Sequence, residues 1–315
     1  MRAAVIAEGT VHCEERPDPV PGLGQLLVRV RAAGLNGADL HQVRGGYPAP
    51  PGWPQDIPGM ELAGEVAAVG PGATRFAVGD PVMAVVGGGA QAELGIVHER
   101  EAMPVPATAS PIDWRTWGGL PEVFTTAHDA LFTQAGLRPG ERLCVHGAAG
   151  GVGIAGVQLA VAAGASVVAT VRSAGLRDKV ASLGATVIDP ADTREHGPFD
   201  VILELVGAPN MAANLEALAI GGRISVIGIG AGARADVNLG VLMAKRARIH
   251  GSTLRTRPLE GKAAAARRVE AEVLPLFAAG RMQVPVEAAF ALTDVASAYE
   301  RFAAGNKFGK IVVEP

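Results

Sequence analysis

The chain has 315 residues, 49% of them hydrophobic and 19% charged, with a formal net charge of −3. That length exceeds one ordinary domain and that composition can build a sizeable core, so two domains are expected and extended disorder is excluded. The mild acidity offers no field to nucleic acid or to an anionic membrane, and no apolar run reaches the roughly 18 residues of a membrane span.

The first eight residues, Met1 to Glu8, place an acid where a signal peptide needs an apolar stretch. Cys13 and Cys144 lie too far apart in sequence for a disulfide framework and too few for a four-cysteine zinc site. A reducing cytoplasm is the expected location.

Up to about residue 110 the pattern is short β-like runs cut by Gly and Pro. Val28 and Val30 alternate with Arg29 and Arg31, which predicts a half-buried strand. Apolar runs at 62–70 and 81–86 are separated by Gly-Pro-Gly and Gly79-Asp80 turns. Between the first strands and these lies Gly45-Gly46-Tyr47, followed by Pro48, Pro50, Pro51, Pro54 and Pro58. Proline lacks a backbone donor and fixes φ, so this stretch is predicted as an ordered loop.

From about residue 140 the rhythm becomes strand, turn, helix. Leu143-Cys144-Val145 enters a Gly-rich turn, 154–163 reads as helix and 166–171 as strand. Helices at 174–183 and 210–219 alternate with strands near 185–188, at 200–206, 223–229 and 248–254. Such alternation predicts a parallel sheet with helices on both faces. At the C-terminal end Val295, Ala298, Tyr299 and Phe302 mark an amphipathic helix, capped by Asp294 and closed at Gly305, before a final strand at 311–313. The expected fold class is therefore α/β. A doubly wound Rossmann-type domain over 114–254 is inserted into a β-rich domain made of 1–113 and 255–315.

The sharpest local signal is His146-Gly-Ala-Ala-Gly-Gly-Val-Gly153, between a strand and a helix. With Ala148, Gly150 and Gly153 at its small positions it reads as a dinucleotide fingerprint, with Gly151 and Val152 completing the turn. Small residues are needed there because the backbone turns tightly, approaches a pyrophosphate and lets the helix pack on the strand. The helix N-terminus then offers unpaired N–H groups to the phosphates. The alternative is a plain Gly-rich turn. An NAD site wants an acid at the end of the second strand; here that strand ends Thr170-Val171-Arg172-Ser173, with Arg177 close behind. A 2′-phosphate would meet Arg172 and Ser173, so NADPH is the expected cofactor. Arg177 on its own reads equally as a solvated helix residue.

Several further motifs keep one order along the chain. They are Ala33-Gly-Leu-Asn-Gly-Ala-Asp-Leu40, Gly46-Tyr-Pro-Ala-Pro-Pro-Gly52, Pro58-Gly-Met-Glu-Leu-Ala-Gly-Glu-Val66 and Val78-Gly-Asp80. Gly87-Gly-Gly-Ala-Gln-Ala-Glu93, Pro121-Glu-Val-Phe-Thr-Thr-Ala127, Leu254-Arg-Thr-Arg257 and Asn306-Lys-Phe-Gly-Lys-Ile-Val312 follow. With the Gly-rich turn, these make the chain resemble the zinc-independent NADPH:quinone oxidoreductases of the medium-chain dehydrogenase/reductases. The likeness is zeta-crystallin-like and nearer to the tumour-suppressor-inducible branch. It implies a GroES-like catalytic domain, a Rossmann domain, a cleft between them, and a homodimer joined near 248–254.

Zinc-dependent members of that superfamily carry Cys where this chain has Asn36, and His-Glu where it has Met60-Glu61. Met and an amide are poor substitutes for thiolate and imidazole, and the seven histidines are scattered, so no metal is expected. Without a Lewis acid, the acceptors favoured are those whose product anion is delocalised, namely quinones and conjugated enones. The resemblance assigns Tyr47 to the loop over the nicotinamide, as substrate-side hydrogen-bond and proton donor; the competing reading is an aromatic packed on prolines. Asn36 either polarises the substrate carbonyl or ties two strands together. Thr126 either contacts the nicotinamide end of the cofactor or caps a helix. Ile227 and Gly228 let the backbone approach the carboxamide or simply end a strand. Val206 lies at the carboxyl edge of the sheet or in the core. His146 reads as a strand-end histidine rather than an acid, Glu61 as structural, and Arg255 and Arg257 stay unassigned. Leu176 departs from the Lys common in the family, with Arg172 as the compensating charge. An enoyl or enone reductase and a non-catalytic NADPH-binding regulatory protein are the competing functions.

Overall fold

A computed structural model describes residues 1–106 and 111–315. The described chain divides into two units, Met1–Thr125 with Leu254–Gly305 and Gly309–Pro315, and Thr126–Thr253 with Asn306–Phe308. The segment 114–125, placed by the sequence with the second domain, packs within the first unit. Among the described residues no helix is long and apolar enough to cross a membrane.

The first unit is built on a seven-stranded sheet. Its order is Val286–Ala291, Lys310–Glu314, Gln25–Gly34, Glu61–Val69, Pro81–Val85 and Ala102–Pro104, with Leu94–His98 added to the long strand Gln25–Gly34. Leu26, Val28 and Val30 point into the core while Arg29 and Arg31 stay outside, as the period of two requires. Two register shifts against Glu61–Val69 bend the long strand, so its far end, Ala33–Gly34, pairs with Val312–Val313 instead. That bend brings the Lys310 strand beside Glu61. Gly45 to Met60 contains neither helix nor strand, as its prolines dictate.

The helix Val295–Ala303 buries Val295, Ala298 and Tyr299. Its cap differs from expectation: the Asp294 carboxylate accepts from the Ser297 hydroxyl and caps no backbone N–H. Three helices of this unit carry little sequence signal. Gly37–Val43 and Trp114–Gly118 are short, and Leu259–Glu272 buries Ala263, Ala265, Ala266 and Val269, whose small side chains make a weak apolar stripe.

The second unit is a six-stranded parallel sheet in the order Thr186–Ile188, Ser166–Thr170, Arg142–Val145, Phe199–Glu204, Leu218–Val226, Arg248–Gly251. Numbered within the unit this is 3-2-1-4-5-6, the doubly wound order whose switch point lies between the first and fourth strands. Phe199, Ile202, Leu215 and Ile224 form its core with Cys144. Several bounds depart from expectation: the fourth strand ends at Glu204, leaving Val206 beyond it, and the sixth ends at Gly251 and not at 254. The stretch 174–183 is a 3₁₀ turn, Ala174–Leu176, followed by a short helix, Arg177–Ala181. The fifth strand starts at Leu218 and ends at Val226, so Ile227 and Gly228 lie beyond it.

Candidate active site

Arg142–Val145 delivers its chain end to the Gly-rich turn, and the helix Gly151–Ala162 leaves from it with Gly150 as N-cap. A Cβ on Gly153 would lie 2.6 Å from Ala148 Cα and 2.6 Å from Gly147 O, so only glycine lets the helix sit this close to the strand end. Ala148 is fully buried, and the first helical turn, from Gly151 and Val152, carries no acid to oppose an anion. Small residues, free first-turn N–H groups and the switch point coincide, which fits a dinucleotide pyrophosphate.

Val206 stands at that switch point, its Cγ2 3.5 Å from where a Gly147 Cβ would be. Its loop is fixed from below by Glu204, a fully buried acid in an apolar strand. Glu204 Oε1 accepts the Val206 N–H at 2.6 Å, the Gly207 N–H at 2.8 Å and Asn210 Nδ2 at 3.3 Å. Its other oxygen accepts Asn214 Nδ2 at 2.6 Å, and Asn214 Oδ1 lies 2.6 Å from His146 Nε2. A carboxylate only accepts, so the Asn214 orientation is set, and His146 must carry its proton on Nε2. Its Nδ1 then accepts from the Thr170 hydroxyl at 3.0 Å. Burial holds the His146 pKa below the ordinary imidazole value, which keeps the ring neutral. Ile227 and Gly228 donate their N–H groups to the Glu204 carbonyl. A Cβ on Gly228 would lie 2.2 Å from Leu205 O, so this glycine answers to the neighbouring backbone first. Thr126 is buried inside the helix Pro121–His128, past its first turn, which removes the capping alternative.

At the second strand's end Arg172 is exposed and has no ion-pair partner among the described residues. Ser173 is half-buried beside it. Arg177 is already engaged: its Nη2 meets Asp189 Oδ2 at 2.6 Å and its Nε donates to Val171 O. It is therefore neither a plain solvated residue nor an uncommitted phosphate ligand.

In the first unit Tyr47 is half-buried, and its hydroxyl has no hydrogen-bond partner among the described residues. The Arg255 guanidinium carbon lies 5.1 Å from the Tyr47 ring centroid, a cation–π contact. This buried arginine donates to Gly87 O at 2.7 Å, Tyr47 O at 3.1 Å and Gln42 Oε1 at 2.5 Å. It pins the Gly/Pro loop to the strand-linked segment at Gly87. Burial pushes the Tyr47 phenol up, and the Arg255 charge partly offsets this, so the group is protonated at neutral pH.

Asn36 precedes the helix Gly37–Val43, and its backbone N–H is held by Asp39 Oδ2 at 2.8 Å. Its side chain donates from Nδ2 to Glu61 Oε1 at 2.9 Å and accepts at Oδ1 from Lys310 Nζ at 2.8 Å. Glu61 Oε2 takes the Glu122 N–H at 2.8 Å, and a Cβ on Gly34 would lie 2.3 Å from Glu61 Oε1, so glycine makes room for the carboxylate. Asp39 is fully buried; burial raises its pKa from 3.8 to about 6, and its Oδ1 has no hydrogen-bond partner among the described residues. Among the described residues no cluster of three or more His, Cys, Asp or Glu could hold a metal ion. A surface groove in this unit, lined by Trp53, Pro54, Gly88, Leu94 and Pro258, includes neither Tyr47 nor Asn36.

Glu204, Asn214, Lys310 and Asp39 were not singled out from the sequence. Glu204 and Lys310 each sit in an apolar strand, where a charge without a partner is too costly to bury; that was the available signal. The 3-2-1-4-5-6 sheet, its glycine-lined switch point and a β-rich partner unit together define a medium-chain nicotinamide-dependent oxidoreductase.

The family model for the alcohol dehydrogenase GroES-like domain matches residues 22–107, and that for zinc-binding dehydrogenase matches 151–271. The chain is 34% identical to a quinone oxidoreductase of Rattus norvegicus over 75% of this chain and 73% of the relative. It is 32% identical to one of Pseudomonas aeruginosa over 94% and 92%. A polyketide synthase, GfsB of Streptomyces halstedii, is 36% identical over 65% of this chain, which spans only 4% of that much longer protein. A mycobacterial structure solved in complex with NADPH superimposes over 100% of both chains with a TM-score of 0.87 at 26% identity. The chain belongs to the zinc-independent quinone oxidoreductase family of the medium-chain dehydrogenase/reductases. It is an oxidoreductase that uses a nicotinamide cofactor and acts on a small molecule.

Proposed function

We propose that the protein reduces quinones, or closely related activated carbonyl compounds, at the expense of NADPH and without a metal. The observation that carries this reading is the donor set of the first unit. Asn36 offers an amide N–H, and Tyr47 a protonated hydroxyl that has no partner among the described residues. Two neutral donors suffice for a product anion spread over a ring and fall short for a localised alkoxide, which wants a Lewis acid. NADPH, when bound, supplies the hydride. Ala148, Gly150, Gly151, Val152 and Gly153 would hold its pyrophosphate, and Arg172 and Ser173 its 2′-phosphate, while Arg177, engaged by Asp189 and Val171 O, would steady the loop beside them. Thr126, Val206, Ile227 and Gly228 form the nicotinamide end. Asn36 donates to the acceptor oxygen, and Tyr47 gives that oxygen its proton, so that hydride plus proton convert a quinone to a hydroquinone. The phenol is reprotonated from solvent.

The match within polyketide synthases supports a second acceptor class, the activated C=C bond of an enoyl thioester, served by the same cofactor residues. A homodimer belongs to the proposal. Its support is the edge strand Arg248–Gly251, paired on one side only among the described residues, and the exposed Leu239, Met243 and Ile249. The test is a matched panel of quinones, enones and enoyl thioesters, run with NADPH and with NADH on wild type and Tyr47→Phe. Quinone-dependent oxidation of NADPH that falls about tenfold or more in the variant is expected. Enoyl thioester turnover above quinone turnover would replace the first reading with the second.

A further inference from the structure

Lys310 is almost completely buried and spends all three of its ammonium protons. Nζ donates to Leu35 O at 2.7 Å, Asn36 Oδ1 at 2.8 Å and Glu61 Oε1 at 2.5 Å. Glu61, also buried, spends Oε1 on Lys310 and Asn36 and Oε2 on the Glu122 N–H. The Asn36 amide therefore lies between a group that only donates and a group that only accepts. Turning it over would aim N–H at an ammonium and C=O at a carboxylate, so one orientation survives. Two amide partners are used, and one Nδ2–H is left. Asn36 and Glu61 stand at positions where zinc-dependent relatives carry Cys and the Glu of their His-Glu pair, and here they meet on a fixed ammonium.

We propose that Lys310 is the positioning residue of the acceptor site, an internal cation that with Glu61 locks the Asn36 amide and commits its remaining N–H to the acceptor oxygen. The assignment rests on Asn36 being the donor described above. Buried ion pairs contribute little net stability against apolar replacements of similar volume, so a purely scaffolding role would not require this pair. Orientation does require it. An amide free to turn presents its oxygen to the substrate oxygen part of the time, which repels where it should attract.

The experiment is a double-mutant cycle of Lys310→Met with Asn36→Ala on the full chain, read with 1,4-benzoquinone as acceptor. NADPH affinity is measured separately by fluorescence, and the Asn36 side-chain amide signals, identified by their loss in Asn36→Ala, are followed by NMR. Lys310→Met alone is expected to lower kcat about thirtyfold, with NADPH affinity held within about twofold. Added to Asn36→Ala it is expected to cost no more than about twofold further. Losses that multiply would overturn the proposal. If Lys310→Met does not fold, the neutral pair Lys310→Met with Glu61→Gln takes its place. The same thirtyfold loss supports the proposal, and wild-type turnover in that folded pair overturns it. The amide signals decide independently of turnover, because they should shift and broaden in the lysine variant. A wild-type Asn36 amide that already rotates freely sinks the proposal whatever the variants do. Should wild type turn over no quinone or enone while its Asn36 amide is locked, the functional reading fails and takes the acceptor-site role of Lys310 with it, leaving only the locked amide.

Discussion

Replacing Glu204 by Gln changes one oxygen to NH₂ in a carboxylate that accepts four N–H donors. The amide oxygen must stay with Val206 N, Gly207 N and Asn210 Nδ2, since three donors outnumber one. The new NH₂ then faces Asn214 Nδ2, so Asn214 has to turn over and present its NH₂ to His146 Nε2. His146 must in turn move its proton from Nε2 to Nδ1 and donate to Thr170. One substitution thus reverses a chain of hydrogen bonds that starts below Val206 and ends at the residue preceding the Gly-rich turn. The two short bonds to Val206 and Gly207 drop from charge-assisted to neutral, at about 1 kcal/mol each. With the reversal a total of about 2–4 kcal/mol is expected, read by urea unfolding. A Val206 loop held less firmly should weaken NADPH binding about tenfold, or about 1.4 kcal/mol. The diagnostic measurement is ¹⁵N NMR of the His146 ring, protonated at Nε2 in wild type and at Nδ1 in Glu204→Gln. An unchanged tautomer in a folded variant would refute the reasoning.

Gly153→Ala puts a methyl 2.6 Å from Ala148 Cα and 2.6 Å from Gly147 O, both backbone atoms, so the helix must move away. A stability loss of about 1–3 kcal/mol and loss of tight NADPH binding, followed by calorimetry, are expected. Arg172→Ala should weaken NADPH about tenfold and leave NADH unchanged, since Arg172 alone among the two arginines is uncommitted. Arg177→Ala should lower both affinities slightly; equal effects of Arg172→Ala on the two cofactors would remove it from the 2′-phosphate. The Asp39 pKa, raised from 3.8 to about 6, means the folded state holds its proton more tightly than the unfolded chain. Folding stability attributable to Asp39 therefore falls as pH rises from about 4 to about 6, by about 3 kcal/mol at most, and stays lost above. Lys310, Arg255 and Glu61 are the charges that face it. Relative to wild type, Asp39→Asn should gain stability across that window and hold the gain to pH 8; a gain that shrinks with rising pH would contradict this.

The doubly wound sheet was legible because each strand and helix obeys its own period and Gly-rich turn chemistry marks the joints. Boundaries were not. The fifth strand begins at Leu218, directly after the helix Met211–Ala217, since Gly221 and Gly222 gave no sign that strand pairing continued past them. The helix Leu259–Glu272 escaped because alanines carry its buried face. At the site, Gly153 was readable as chemistry because its constraint is local. Arg255 and Lys310 were not, because their meaning lies in partners at Gln42, Tyr47 and Gly87, and at Leu35, Asn36 and Glu61, brought close only by the bends of the sheet. Arg177 shows the reverse case, a residue whose sequence position suggested a free charge while Asp189 had already taken it.

The most direct test of the central claim is steady-state oxidation of NADPH with a quinone acceptor, set beside the affinity for NADPH measured in the absence of acceptor. Turnover that depends on quinone, prefers NADPH to NADH and collapses in Asn36→Ala without loss of cofactor affinity is the expected result. Tight NADPH binding with no acceptor-dependent oxidation by any quinone or enone would contradict the reductase and leave a protein that binds the cofactor for another purpose.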